Sequence, residues 1–98
     1  MSEQVLTAAD VDAALAEQSI GWERQGDELV TSVKLRDFPA ALAFVNALGA
    51  AAEAANHHPD IDIRWNTVNL SLTTHDAGGL TVLDLALAAA IDRLRPAR

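Results

Sequence analysis

Residues 53–66 read EAANHHPDIDIRWN and contain the chain's most chemically distinctive side chains. His57 and His58 are adjacent and precede Pro59, and the third and last histidine of the sequence, His75, follows a strand-like segment. Histidine can donate and accept a proton near neutral pH with little tuning of its pKa. The three histidines therefore predict one region of the chain in which proton transfer could occur.

The segment that begins in this stretch, residues 61–75, is predicted to form a β-hairpin. Ile61, Ile63 and Trp65 share one parity along the chain, and three later apolar residues share the other, namely Val68, Leu70 and Leu72. A two-residue turn at Asn66-Thr67 would place Trp65 opposite Val68 and bring all six side chains to one face. On parity alone, Trp65 is therefore predicted to be a core residue.

Immediately before this stretch, residues 38–55 are predicted to form the longest helix. Asp37 suits the N-cap, Pro39 suits the first turn, and Asn56 is a plausible stop. Gly49 lies inside the helix, where glycine costs about 1 kcal/mol relative to alanine, so we expect it to pack closely against a neighbour. The predicted apolar face consists of Phe38, Ala41, Leu42, Val45, Leu48, Ala52 and Ala55.

The flanking segments complete the predicted order of elements. A first helix is expected over residues 6–18, with Thr7 and Asp10 as a capping box. A first hairpin is expected over residues 22–35, with its turn at Gly26-Asp27, and Trp22 is expected in the core. The order α-β-β-α-β-β-α then predicts one α+β domain over residues 1–98, in which three helices pack on one face of a four-stranded antiparallel sheet.

A third helix is expected over residues 82–95, capped by Thr81 with Asp84 at the capping-box position. Its main apolar stripe consists of Leu83, Leu87, Ile91 and Leu94, and a second apolar side consists of Val82, Leu85, Ala86 and Ala89. A helix that is apolar on two sides in so small a protein favours a subunit contact, and the edges of the sheet also need cover. We therefore expect a homodimer or homotetramer.

Composition excludes several classes of function. The net charge of -7 argues against nucleic acid and against an anionic membrane surface as partners. The absence of cysteine excludes disulfides and thiolate metal sites. No uninterrupted apolar run approaches the length of about 20 residues that a membrane span needs. The N-terminal MSEQVLTAAD lacks the pattern of a secretory signal, so we expect a soluble cytoplasmic protein.

The residues alone leave three interpretations of the histidines open. They could be surface loop residues, they could surround one small molecule, or they could bind zinc together with Asp84. Adjacent histidines are awkward ligands for a single ion, which makes zinc the weakest interpretation. Glu53 lies one helical turn before His57, so its carboxylate could orient an imidazole. Asp84 is more typical of a helix cap than of a catalytic acid.

Seven positions with fixed spacing resemble the signature of the pterin-4a-carbinolamine dehydratase family. An acidic residue precedes His-His-Pro, and an aromatic residue, a histidine and an aspartate follow; here these are Glu53, His57, His58, Pro59, Trp65, His75 and Asp84. The resemblance covers about residues 19–92 and also includes Gly21-Trp22 and Thr74-His75-Asp76.

This resemblance implies an enzyme, a hydro-lyase that removes water from 4a-hydroxytetrahydropterin and yields quinonoid dihydropterin without a metal or organic cofactor. It implies that His57 and His75 are general acids on either side of C4a and that His58 mainly binds the pterin ring. Glu53 and Asp84 would orient imidazoles or accept hydrogen bonds from the pterin, and Pro59 and Trp65 would belong to the binding site. The alternative is a non-catalytic protein-binding module on the same fold, as in relatives that act in transcription or in the assembly of other proteins.

Overall fold

The computed structural model describes residues 4–96 and confirms the predicted architecture. The chain forms α1 (Ala8–Glu17), β1 (Glu23–Gln25), β2 (Glu28–Lys34), α2 (Phe38–Ala55), β3 (Asp60–Arg64), β4 (Thr67–Leu72) and α3 (Val82–Asp92). The four strands make one antiparallel sheet in the order β1-β2-β4-β3, and the apolar side of that sheet packs against the helices. The strands at the two edges of the sheet are therefore β1 and β3.

Local capping sets the ends of the helices as the sequence predicts. The Thr7 hydroxyl accepts the Asp10 N–H at 3.0 Å, and Asp37 accepts the Ala40 N–H at 2.9 Å. Asn56 ends α2 in a left-handed conformation with φ of 51°. α1 is shorter than predicted at both ends, and α3 ends at Asp92 rather than at residue 95. Most of these boundaries follow from hydrogen bonds within one turn of helix.

The register of the strands separates an apolar face from a polar face. Leu29 lies opposite Leu72, and Val33 lies opposite Val68, on the side that packs against the helices. Val30, Ser32, Asp62, Asn69 and Ser71 alternate with these core residues and lie on the opposite side. The core between sheet and helices also contains Trp22, as predicted. The indole Nε1 of Trp22 donates to Asp92 of α3 at 3.0 Å.

The turn between β3 and β4 lies one residue earlier than predicted. Arg64 pairs with Thr67, so the two turn residues are Trp65 and Asn66. The Asn66 side chain is buried and donates to the Leu35 carbonyl at 3.0 Å, and the Asn66 carbonyl accepts the Leu35 N–H at 2.8 Å. This double contact holds Asn66 in the turn. As a consequence Trp65 is 69% exposed, with φ of 53°, and the prediction that it is a core residue was wrong.

The apolar face of α2 also differs from the prediction. Its buried residues are Ala41, Phe44, Leu48 and Ala52. Phe38 and Leu42 were expected in the core but are exposed, because the helix turns Phe44 toward the sheet instead. A side chain at Gly49 would meet nothing within 4 Å, so the expected close neighbour is absent from the described residues. α2 is long and apolar enough to meet the length and composition criteria for a membrane span, with a mean hydropathy of 1.4, yet one side of it packs in the core.

The second apolar side of α3 is largely internal. Leu85 is buried in the core of its own chain, and Ala89 packs partly against that core. Only Val82 and Ala86 of that predicted side are exposed. The reasoning that took this side as a free subunit contact was therefore wrong, because α3 packs against α1 and α2 and its Leu85 side chain belongs to the buried core. The larger exposed apolar side chains among the helices belong to α2.

Candidate functional site

The end of α2 determines where His57 points. Asn56 reverses the backbone direction through its left-handed conformation, and its N–H donates to the Glu53 carbonyl at 3.1 Å. The His57 N–H donates to the Ala52 carbonyl, also at 3.1 Å. These two bonds form a Schellman motif, in which the first two residues beyond the helix satisfy its last carbonyls. The backbone of His57 is therefore held by the helix end.

The His57 side chain is buried and paired with Asp84. Its Nε2 lies 2.6 Å from Asp84 Oδ1, although the two residues are 27 positions apart in sequence. His57 is 9% exposed, and Asp84 is fully buried. A carboxylate only accepts hydrogen bonds, so Nε2 carries a proton toward Asp84. The other ring nitrogen, Nδ1, is then left for a ligand, with its orientation set by the carboxylate.

Asp84 is itself held by two further donors. Its Oδ2 accepts the Thr81 N–H at 2.9 Å, which completes the predicted capping box of α3, and it accepts the Thr74 hydroxyl at 2.7 Å. The Thr74 and Thr81 hydroxyl oxygens lie 2.8 Å apart. Asp84 is therefore a helix cap and the partner of His57 at once.

His58 forms a second pair, on the surface. Its Nε2 lies 2.8 Å from Glu53 Oε1, and the side chains of His58 and Glu53 are 57% and 81% exposed. The sequence predicted that Glu53 could orient an imidazole, and the imidazole that it contacts is that of His58. An exposed pair of this kind contributes little to stability. The pair leaves Nδ1 of His58 available to a ligand.

His75 is the first residue of a short turn after β4. The Thr74 N–H donates to the Gly79 carbonyl at 3.1 Å, and the Thr74 carbonyl accepts the Gly78 N–H at 3.0 Å. Gly78 has φ of 81°, which suits glycine at this tight reversal. His75 is exposed, and it directly follows Thr74, the donor to Asp84. His75 is therefore one residue away in sequence from Thr74, which belongs to the buried hydrogen-bond network of His57 and Asp84.

The topology gathers most of the predicted site residues at one end of the β3–β4 hairpin. His57, His58 and Pro59 lead into β3 there, and His75 follows the end of β4, since Asp60 pairs with Ser71. Trp65 lies at the opposite end, in the turn. From Pro59 to Trp65 is six steps of about 3.3 Å, or roughly 20 Å. Within one chain, Trp65 is too far away to contact a small molecule held by the histidines.

Thr74 is the member of this network that sequence analysis did not single out as a site residue. It is buried and extends the inward parity of Val68, Leu70 and Leu72 by one more step. A polar residue on the buried parity of a strand needs a hydrogen-bond partner. That pattern was a usable signal for a residue that bonds to Asp84.

A concave cleft lies elsewhere, on the polar face of the sheet. It has a volume of about 710 Å³ and is lined by residues such as Glu23, Ser32, Asp60, Asp62, Asn69 and Ser71. None of the three histidines lines it. Many of its polar groups already bond to one another, as in the contact from Asn69 Nδ2 to Asp62 Oδ2 at 3.0 Å. The histidines and their carboxylate partners therefore lie outside this cleft.

The metal-site interpretation finds no support in the arrangement of the side chains. Across residues 4–96, no group of three or more histidine, aspartate and glutamate side chains is placed to hold a metal ion. His57 Nε2 is directed at Asp84 and His58 Nε2 at Glu53, which makes two separate pairs. The arrangement suits proton transfer and hydrogen bonding to an organic ligand better than it suits metal ligation.

Comparison with known proteins gives relatives along nearly the whole chain. Residues 4–94 match the family model described as pterin 4 alpha carbinolamine dehydratase. A protein of Chloroflexus aurantiacus, provisionally named a pterin-4-alpha-carbinolamine dehydratase, is 54% identical over 91% of this chain and 95% of its own length. A protein of Nocardia farcinica with the same provisional name is 48% identical over 96% of this chain and 98% of its own.

Solved structures show the same fold. The crystal structure of a transcriptional coactivator/pterin dehydratase from Brucella melitensis superposes with a TM-score of 0.88 at 28% identity, covering 95% of this chain and 100% of the other. A pterin dehydratase-like protein described as a RuBisCO assembly factor in the alpha-carboxysome superposes with a TM-score of 0.63 at 24% identity, covering 79% and 89% of the two chains. On its sequence and its fold, the chain belongs to the pterin-4-alpha-carbinolamine dehydratase family.

Proposed function

We propose that this chain is a dehydratase that converts 4a-hydroxytetrahydropterin to quinonoid dihydropterin by histidine acid–base catalysis. The observation that carries the proposal is the buried pair between His57 Nε2 and Asp84 Oδ1 at 2.6 Å. A structural histidine would need only one partner for burial, whereas this one is held by a carboxylate that two further donors orient. Such orientation of an imidazole is the arrangement that proton transfer requires.

The reaction needs one proton delivered and one removed. The C4a hydroxyl leaves as water once its oxygen is protonated, and the N5 lone pair stabilises the cation that develops at C4a. Loss of the N5 proton then gives the quinonoid dihydropterin, so the sum is the substrate minus one water. An acid and a base with pKa values near the working pH serve both steps, and each positioned group contributes roughly 10²–10⁴ in rate.

The residues divide into acids, a binder and positioning groups. We assign His57 and His75 as the general acids and His58 as the main contact to the pterin ring. The imidazole that has delivered its proton to the C4a hydroxyl is neutral and then serves as the base that accepts the N5 proton. Asp84 positions His57, and Glu53 positions His58, because each carboxylate lies within hydrogen-bond distance of the respective Nε2. Pro59 restricts the backbone of His58 and so limits where its ring points.

A dehydration assay on chemically generated 4a-hydroxytetrahydropterin tests the proposal. We expect His57→Ala and His75→Ala each to lower kcat by at least about 10², since each removes a proton carrier. His58→Ala should raise KM more than it lowers kcat, because binding is its main role. Wild-type activity that does not exceed the uncatalysed rate would overturn the proposed function, and an unimpaired His75→Ala variant would overturn its assigned role.

The rate should also depend on pH through the range in which histidine titrates, around pH 6–7. The motivation is that imidazoles perform both proton transfers. The measurement is kcat between about pH 5.5 and 8.5, with the uncatalysed rate subtracted at each pH. A flat profile with chemistry limiting would exclude imidazole as the proton carrier.

A protein-binding role is the second candidate. Its specific support is the exposed apolar side of α2, where Phe38 and Leu42 face away from the core. The Brucella melitensis structure carries the description of a transcriptional coactivator as well as that of a pterin dehydratase. Phe38→Ser together with Leu42→Ser should abolish such binding and leave dehydration unchanged. A matched loss of dehydration would instead mean that this helix face supports the catalytic fold.

A further inference from the structure

The turn that carries His75 is placed by its backbone. Each of the other two histidines has a carboxylate partner, whereas across residues 4–96 the His75 ring forms no such pair. At the base of the turn, the Thr74 N–H donates to the Gly79 carbonyl at 3.1 Å, and the Gly79 N–H donates to the Thr74 carbonyl at 3.4 Å. Where the His75 ring lies therefore depends on what holds Thr74 and Gly79.

The base of the turn is anchored from the interior through Thr74. The Thr74 hydroxyl donates to Asp84 Oδ2 at 2.7 Å and lies 2.8 Å from the Thr81 hydroxyl oxygen. Thr74, Thr81 and Asp84 are all buried, so water does not compete for these hydrogen bonds. This anchor fixes the entry to the turn and leaves the return of the chain at Gly79 to be fixed by other contacts.

Residues 5–6 hold the return of the chain from the outside. The Leu6 N–H donates to the Leu80 carbonyl at 2.8 Å, and Leu80 directly follows Gly79. Leu80 is buried, and the Leu6 side chain packs against the core. The next residue, Thr7, forms the capping box of α1. Residues 5–6 are therefore tied to α1 on one side and to the turn on the other.

Val5 lies directly against Gly79. A Cβ atom at Gly79 would lie 2.9 Å from Val5 Cγ1 and 3.6 Å from Val5 Cγ2, whereas carbon atoms in contact are about 3.5–4.0 Å apart. The glycines with positive φ are Gly26 and Gly78, so the backbone of Gly79 would accept alanine. The side chain of Val5 therefore requires glycine at position 79. Valine is stiff at χ1, which keeps its methyl groups in place.

We propose that Val5 and Leu6 are positioning residues for His75, and that they hold the base of its turn against the anchor at Thr74. The inference rests on the proposed function for the role of His75 as a general acid. Proton transfer demands close placement, and a displacement of about 1 Å can cost a factor of 10² in rate. A turn that is fixed from both sides keeps the exposed imidazole in place, although neither Val5 nor Leu6 has to touch the substrate.

Gly79→Ala tests the contact, since its methyl group collides with Val5 and displaces the turn. The two side chains must separate by about 0.5–1 Å to reach ordinary contact distance. We expect kcat for dehydration to fall about ten- to hundredfold and KM to change little, because His75 acts in the proton transfer. A Gly79→Ala enzyme with the wild-type kcat would overturn the proposal, since residues 5–6 would then yield and not the turn.

Val5→Ala provides the rescue. It removes Cγ1 and Cγ2 and leaves Cβ at 3.8 Å from the new methyl group, which is an ordinary contact. Val5→Ala alone should lower kcat by less than Gly79→Ala does, because the hydrogen bond from Leu6 to Leu80 remains. The double variant should recover the kcat of Val5→Ala, a non-additivity that marks two residues in direct contact. A double variant as impaired as Gly79→Ala would place the fault outside this contact and overturn the proposal.

Val11→Ala is the matched control for a general loss of stability. Val11 is a buried residue of α1 and belongs to the core rather than to the turn. Its truncation should lower Tm and leave kcat per folded molecule unchanged. An equal loss of kcat in Val11→Ala and Gly79→Ala would show that loosening of the fold alone lowers activity, and it would overturn the positioning role.

NMR spectroscopy tests the geometry without the substrate. Nuclear Overhauser contacts should join the Val5 methyl groups to the Gly79 Hα atoms, and their absence would overturn the proposal. The chain has three histidines, so the ring signals of His75 are identified by their loss in His75→Ala. These signals should shift in Gly79→Ala and return in the double variant, and unmoved signals would overturn the proposal. Wild-type protein that meets these expectations and has no dehydratase activity would instead refute the proposed function.

Discussion

Replacing Asp84 with asparagine is the sharpest test of how the buried network works. Asp84→Asn keeps the volume of the side chain but exchanges one acceptor oxygen for an N–H₂ donor. The amide oxygen should stay with the Thr81 N–H and the Thr74 hydroxyl, which both bond to Oδ2 in the native protein. The amide nitrogen then faces His57 Nε2 and donates to it. Nε2 then accepts a hydrogen bond instead of donating one, so the ring is held neutral with its single proton on Nδ1, and the imidazolium that a general acid requires is no longer stabilised by a carboxylate.

The magnitudes follow from the three hydrogen bonds of Asp84. Hydrogen bonds to a charged group contribute about 1.5–3 kcal/mol and neutral ones about 1 kcal/mol, so the exchange costs roughly 2–4 kcal/mol of unfolding free energy. In a domain of this size that lowers Tm by about 10–30 °C. A total stability of about 5–15 kcal/mol leaves most molecules folded at 20 °C. Loss of the imidazolium form of His57 as the general acid should lower kcat by about 10²–10⁴.

The assay combines kcat for dehydration with thermal unfolding followed by circular dichroism. Asp92→Asn is the matched control, because Asp92 also belongs to α3 and accepts the Gly21 N–H at 2.6 Å and Trp22 Nε1 at 3.0 Å, away from the histidines. It should lose stability and retain kcat per folded molecule. An Asp84→Asn enzyme with the wild-type kcat, or an equal loss of kcat in Asp92→Asn, would refute the reasoning.

Three further predictions concern stability. Gly49→Ala should raise the unfolding free energy in urea by about 1 kcal/mol, because the helix gains alanine and the new methyl group meets no neighbour; a loss would reveal a contact in an assembly. Trp65→Gly should be more stable than Trp65→Ala by about 1 kcal/mol, since only glycine adopts φ of 53° without strain, and equal values would contradict the left-handed turn. The hydrogen bond from Arg24 lowers the pKa of Asp12, so its stabilisation is present above the unfolded pKa of about 3.9 and is lost as pH falls through the folded value. Arg24→Gln should therefore lose less Tm than the wild type between about pH 5 and 2.5, and an unchanged acid profile would contradict this.

Most of the secondary structure could be predicted because its signals are local. Thr7, Asp37 and Thr81 cap helices through hydrogen bonds that span two or three residues, and Gly26 supplies the positive φ of the first hairpin turn. Such bonds form between residues that are neighbours in the chain, so they can be predicted from the sequence without knowledge of the fold. The same holds for the apolar alternation of β4, which predicted its buried face correctly.

The candidate site was predictable as a set of residues but not as an arrangement. Asp84 could be predicted as a helix cap, because its contact with Thr81 is local. Its contact with His57 spans 27 positions and forms only when α2 and α3 pack together. Glu53 was expected near an imidazole, and which imidazole depended on the left-handed reversal at Asn56.

By itself, the sequence determined the order of elements, the capped helix ends and the clustering of the histidines, since each depends on side chains a few positions apart. Only the tertiary structure decided the pairing of His57 with Asp84 and the exposure of Trp65. In the second case the decisive contact is the anchoring of Asn66 to Leu35, 31 residues away, which outweighs the alternation of the strand. Hydrophobic periodicity predicts which side chains would gain from burial, whereas long-range hydrogen bonds select the register that buries them.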